Sequence, residues 1–197
     1  HAYDGSYTQL EIQWEGLDAR IETAHAGKDL VILISPNSIP ADRMKVIIES
    51  GMLWNRQGNL SRKINQLKAV CPGKTIKVFT TSVPVDDDPY IDVKTPYLAV
   101  WLDGEIGIST GKKRTLLEIK KAIEIQKVSL QSEAEKFGEL AKPYIAVQAG
   151  IAWNLIYEPK FDRVVSTVGR LWNEEYGGFC TFGWDNFFLA YMTGLAS

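Results

Sequence analysis

The stretch PYLAVWLDGEIGISTGKKRTLLEIKKAIEIQ, Pro96 to Gln126, holds two kinds of chain side by side. Its first half is a pair of short apolar runs rich in branched and aromatic side chains, the composition of strands. Leu102 to Glu105 reads LDGE, a turn sequence that predicts a hairpin joining AVW to IGIS. After the GKK of Gly111 to Lys113, Leu116, Ile119 and Ile123 recur at three or four residues, with Lys120, Lys121 and Glu124 between them. That is the period of a helix with one apolar face. Leu130, Ala134 and Phe137 extend the face, with Lys127 and Glu135 on the polar side, so the spacing predicts a linker helix within 111–138. The chain therefore changes from β to α near residue 112.

Towards the N-terminus, the runs YTQLEIQW, DARIETA, DLVILIS, MKVIIES and KTIKVFTT precede PYLAVWL, punctuated by HAGKD, SPNSIPAD, NRQGN, CPGK and PVDDDP. Short strands at close spacing with Gly, Pro and Asn turns predict an antiparallel β-sandwich over 1–110. Towards the C-terminus, PYIAVQAGIAWNLIY, Pro143 to Tyr157, has Gln148 and Asn154 as its only strongly polar members. Pro143 sits where a first helical turn tolerates it. The run predicts a helix buried on nearly all sides, yet it is shorter than the roughly 20 apolar residues of a membrane span. From Gly183 onward a third helix is expected, with Phe187, Phe188, Tyr191, Met192 and Leu195 on one flank. The expected class is α+β: sandwich, linker helix, then a helical layer over 139–197.

The 197 residues, 45% of them hydrophobic, suffice for one or two packed domains. Twenty-two Lys and Arg against 24 Asp and Glu give a net charge of -2, so electrostatics offers no reason to expect a nucleic acid or an anionic membrane as partner. Cys71 and Cys180 are far apart, and neither their number nor their spacing requires a disulfide. His1 and His25 are too few and too isolated for a metal cluster or a Ser-His nucleophile, and no cofactor is expected. No basic-then-apolar leader opens the sequence, so secretion is neither read nor excluded, and periplasm or secretion is slightly favoured over the cytoplasm. VDDDPY at Val85 to Tyr90 lacks the spaced ligands and the Gly of a calcium loop and reads as an exposed turn. Asn59-Leu60-Ser61 has the glycosylation acceptor pattern, which matters only in a glycosylating secretory pathway.

One further stretch suggests a ligand. GRLWNEEYGGFCTFGWDNFFLAYM, Gly169 to Met192, gathers aromatic rings, the adjacent Gly177 and Gly178, Arg170 and Asp185. Apolar faces beside a few fixed hydrogen-bonding groups suit a sugar. Plainer readings stand beside this one. An Asp near a helix start is often a cap or a dipole partner, aromatics at helical spacing are usually core, and Glu174 and Glu175 suit a solvated bend.

AWNLIYEP at Ala152 to Pro159, RLW at Arg170 to Trp172, the Gly177-Gly178 pair and FGWDNFF at Phe182 to Phe188 together resemble the six-hairpin (α/α) barrel glycoside hydrolases. The nearest likeness is to bacterial and fungal relatives of family 63 processing α-glucosidases and family 37 trehalases. The resemblance implies that 139–197 begins an (α/α)6 toroid barrel, incomplete here, and that the sequence is the N-terminal part of an enzyme hydrolysing an α-linked glucoside or related oligosaccharide with inversion. It implies substrate-binding roles for Arg170, Trp172, Trp184 and Asp185. Asp185 would accept bonds from sugar hydroxyls, Trp184 would form an apolar wall, Arg170 would donate to a ring hydroxyl or orient a carboxylate, and the two glycines would admit backbone close to the sugar. The general acid and base of such families lie in later segments, so no catalytic pair is expected in this chain and none of its activity alone. ESGMLWN at Glu49 to Asn55 approximates the acid motif but has Leu53 in place of the needed Asp. The implied partners are an oligosaccharide or disaccharide substrate and the remaining barrel helices of the same protein. The alternative is a noncatalytic carbohydrate-binding or interaction module.

Overall fold

The computed structural model describes residues 1–52, 57–85, 96–158, 160–167, 175 and 180–196. They fall into two compact units, Tyr7–Lys127 and His1–Ser6 with Val128–Ser197.

The first unit carries nine strands among the described residues: β1 (Tyr7–Trp14), β2 (Leu17–Ala26), β3 (Asp29–Pro36), β4 (Lys45–Glu49), β5 (Asn59–Lys63), β6 (Gln66–Cys71), β7 (Lys74–Thr80), β8 (Tyr97–Trp101) and β9 (Ile106–Thr110). Seven form one antiparallel sheet in the order β1-β2-β3-β9-β7-β6-β5, and β4 pairs with β8 in a second. Ile34, Ile106 and Ile108 of the large sheet and Ile48, Leu98 and Val100 of the small one share a single buried cluster. Full burial of each such side chain stabilises by about 1.5–3 kcal/mol, so this cluster is what joins the two sheets.

The hairpin expected across LDGE does not form. β8 pairs with β4, whereas β9 lies between β3 and β7, so Leu102 to Glu105 carries the chain from one sheet to the other. The cause is legible in burial. Leu98, Ala99 and Val100 are all buried, as are Ile106, Gly107, Ile108 and Ser109, so each strand needs cover on both faces. Leu102 is itself buried in the shared cluster and donates its N–H to Met44 O at 2.9 Å. β5 and β6 were not expected from sequence; their Lys, Arg, Ser and Gln residues give a half-exposed edge without a clean apolar alternation.

The opposite face of the large sheet carries Ala24, Val31 and Leu33, all buried. The helix α1 (Leu116–Glu135) packs there through Ile119 and Ile123. Gly107 of β9 makes room for it. A Cβ at that position would lie 2.7 Å from Ile119 Cδ1 and 3.3 Å from Leu116 Cδ1. α1 begins at a reciprocal cap: Glu118 N–H donates to Thr115 Oγ1 at 3.3 Å, and Thr115 N–H donates to Glu118 Oε2 at 2.7 Å. Arg114, just before it, pairs with Asp29 at 2.7 Å and donates to the carbonyls of Ala26, Thr110 and Lys112, which ties the β2–β3 turn to the end of β9.

The second unit holds a 3-10 turn at Gly138–Leu140, then α2 (Ala141–Asn154), β10 (Leu155–Glu158), β11 (Arg163–Ser166) and α3 (Gly183–Ala196). The expected helix to Tyr157 stops at Asn154, and LIYE is a strand paired with RVVS. Branched and aromatic residues favour that extended form once a partner strand is present. Nor is α2 buried all round. Gln148 and Ile151 are its buried residues, while Trp153 is exposed. Gln148 is satisfied in place: Oε1 accepts the Tyr3 N–H at 2.7 Å and Nε2 donates to the Tyr144 hydroxyl at 2.8 Å. Among the described residues, no helix is long and apolar enough to cross a membrane.

Candidate functional site

Three element ends of the second unit converge. α2 ends at Asn154, whose carboxamide donates to Gly150 O at 2.8 Å and whose carbonyl accepts the Thr167 N–H at 3.2 Å. The β10–β11 register sets Leu155 opposite Ser166, which returns the chain to the end of α2. Tyr157 donates its hydroxyl to Asp162 Oδ1 at 2.6 Å across the connecting turn, where Asp162 has φ 50°. Asp is among the few residues that enter this left-handed region readily. α3 is attached through Asn186. Its Oδ1 accepts the Ser166 N–H at 2.9 Å, and its Nδ2 donates to Phe182 O at 2.8 Å.

These bonds frame a pocket of about 250 Å³. Its polar wall comprises Asn154, Ser166, Thr167 and Asp185, and its apolar wall Trp184, Phe188, Leu189 and Met192. Trp184 meets Phe188 edge to face, with centroids 5.6 Å apart, and leaves 66% of its own surface exposed. Asp185 is half-buried in the first turn of α3. A carboxylate accepts bonds only, and an indole face offers dispersion contact, so this combination is suited to C–H faces and hydroxyl donors on one ligand.

Two of the four residues named from sequence, Trp184 and Asp185, thus line one pocket. Arg170 and Trp172 lie outside the described residues, as do Glu174, Gly177, Gly178 and the acidic turn from Asp86. Glu175 is exposed. Sequence reasoning did not name Asn154, Ser166 or Thr167 as pocket residues, nor Asn186 as the residue that attaches α3 beside them. Asn154 and Asn186 sit inside the AWNLIYEP and FGWDNFF stretches and had a local signal; Ser166 and Thr167 enter only through hairpin register.

A second, apolar groove of about 390 Å³ lies between Phe137, Leu140, Tyr144 and Val147 on one side and Met192 and Leu195 on the other. Cys71 and Cys180 are both free thiols. In the first unit, a buried polar cluster forms where Tyr7 donates its hydroxyl to Glu22 Oε1 at 2.7 Å, with Lys127 Nζ 3.9 Å from the same oxygen. Burial first, and then the bond to Glu22, push the Tyr7 phenol well above the ordinary tyrosine range. The cluster fastens α1 to β1 and β2 rather than lining a cavity.

No protein-family model, curated protein or solved structure matches the chain.

Proposed function

We propose that the chain is the substrate-holding front part of a glycoside hydrolase of the six-hairpin type, with a β-sandwich before an (α/α) barrel, acting on an α-linked glucoside. The observation that carries this reading is the meeting, in one pocket, of Asn154 from AWNLIYEP with Trp184 and Asp185 from FGWDNFF. Both stretches carry the family resemblance, and they meet in one pocket although one ends α2 and the other opens α3. Asp185 accepts bonds from sugar hydroxyls while Trp184 and Phe188 cover an apolar face of the ring. Inverting hydrolysis takes two carboxyl groups about 6.5–9.5 Å apart. The pocket offers one among the described residues. Its part is therefore to hold the sugar, and the acid and base come from elsewhere in the protein.

The test is a titration of this chain with glucose and with an α-linked glucose disaccharide, followed by the indole N–H resonances in NMR. Expected is a saturable shift of one indole signal that disappears in Trp184→Phe, with no turnover of an aryl α-glucoside. Absence of any shift removes the sugar reading, and measurable turnover removes the division of labour. Should the complete protein bind the sugar without hydrolysing it, a noncatalytic carbohydrate-binding module is the correct reading.

A further inference from the structure

We infer that Thr167 is a ligand-binding residue of this pocket, its hydroxyl paired by a hydroxyl of the bound molecule, an assignment that rests on the sugar-pocket reading above. Thr167 is 2% exposed, and its Oγ1 is the one buried side-chain nitrogen or oxygen among the described residues that has no hydrogen-bond partner. Native chains pair nearly all such groups, so an orphan at a pocket wall calls for a physical reason. The two neighbouring side-chain amides already donate within the protein. Asn154 donates its side-chain amide to Gly150 O, and its backbone carbonyl accepts the Thr167 N–H. Asn186 gives its oxygen to the Ser166 N–H and its amide to Phe182 O. For a ligand the polar wall offers the Asp185 carboxylate, a pure acceptor, the Asn154 side-chain oxygen, and the hydroxyls of Ser166 and Thr167, which both donate and accept; Thr167 Oγ1 is the one among them that is buried without a partner.

Together they fit a neutral polyol that brings at least two hydroxyls, one donating to Asp185 and one meeting Thr167. The pocket, about 250 Å³, has room for one sugar ring. Oγ1 is closed to bulk water. One χ1 step between staggered wells moves the hydroxyl into the place held by the methyl or by Hβ, and the assignment requires such a step to bring it to the occupant.

Thr167→Val tests the assignment, because it replaces the hydroxyl with a methyl of nearly equal size. Expected is a thermal midpoint without sugar that is unchanged or raised, and a Kd for glucose weakened roughly 5- to 100-fold. Thr167→Ser, which keeps the oxygen, should retain most of the affinity. A midpoint lowered by Val and restored by Ser would show the hydroxyl bonded within the protein itself, and that overturns the inference. Equal glucose affinity in wild type and Thr167→Val overturns it too, while leaving the sugar pocket standing. If wild type binds no glucose, the pocket reading fails first and the assignment of Thr167 falls with it.

Discussion

Asp185 separates two roles that fail in different ways. It lies inside the first turn of α3, where a carboxylate gains about 0.3–1 kcal/mol from the helix dipole, and it lines the pocket. Asp185→Asn should therefore lower stability by no more than about 1 kcal/mol. Its loss in sugar binding, or in the specificity constant of the complete protein, should be on the order of 1–3 kcal/mol, because a half-donor amide mismatches ligand hydroxyls. Paired measurements of the unfolding midpoint and the sugar affinity check this, and unaltered affinity reduces Asp185 to a dipole partner. The ionisation of Tyr7 bears on stability at alkaline pH. Its phenol pKa is raised in the folded chain, so its contribution is fully present below the unfolded value of about 10 and is lost as pH rises through the folded value. Tyr7→Phe should remove that alkaline loss. At neutral pH it should cost about 1.5–3 kcal/mol, the range for a hydrogen bond to a charged group. Denaturant melts of both proteins between pH 7 and 11 decide it, and parallel pH profiles would contradict the assignment.

At the scale of elements, α1 is held by close approach and by its cap. Gly107→Ala places a methyl against Ile119 and Thr81 and should destabilise by about 1–3 kcal/mol, as overpacking does. Thr115→Ala removes the cap and should cost about 1 kcal/mol. Bonding from the Thr115 N–H lowers the Glu118 carboxyl pKa, so the reciprocal half of this cap is intact above the usual glutamate range and fades as pH falls through the depressed value. Helicity of Thr115→Ala at pH 7 reads the hydroxyl half, and that of Glu118→Gln compared with wild type at pH 7 and pH 3 reads the carboxylate half; an acid-insensitive difference for Glu118→Gln would refute the linkage. α1 was legible in sequence because its apolar residues keep the helical period where the flanking residues are charged. The misreadings fall where that contrast vanishes. LIYE continues the apolar run of α2 without a break, and a short apolar run does not distinguish helix from strand. β8 and β9 are apolar on both faces, so alternation gave no sign of which neighbours they take. The pocket was half legible for the same reason: Trp184 and Asp185 announce themselves by type, whereas Ser166 and Thr167 are ordinary residues that become pocket residues through register.

At the scale of the molecule, the two units differ in how they treat apolar surface. The sheet unit buries aliphatic residues on both faces of its large sheet, whereas α3 leaves Phe187 77%, Tyr191 67% and Leu195 63% exposed, one turn apart along a single stripe. Two copies meeting through the stripe bury six such side chains, worth at most about 9–18 kcal/mol at the usual coefficient. Association costs about 4–15 kcal/mol in lost rigid-body freedom, and ordering the side chains costs more. The difference is small, so self-association through this stripe is expected to be weak, reversible and concentration-dependent rather than a fixed dimer. The chain should also raise the fluorescence of a hydrophobic dye, since contiguous exposed rings of this kind bind it. The double variant Phe187→Lys, Tyr191→Glu adds no net charge and touches no residue of the sugar pocket. It should lower both dye binding and the rise of sedimentation coefficient with concentration, leaving the circular dichroism and the glucose affinity as they were. A wild-type chain that stays monomeric up to high concentration and binds no dye would mean that the stripe is covered in solution, and the exposed α3 face would then have to be withdrawn.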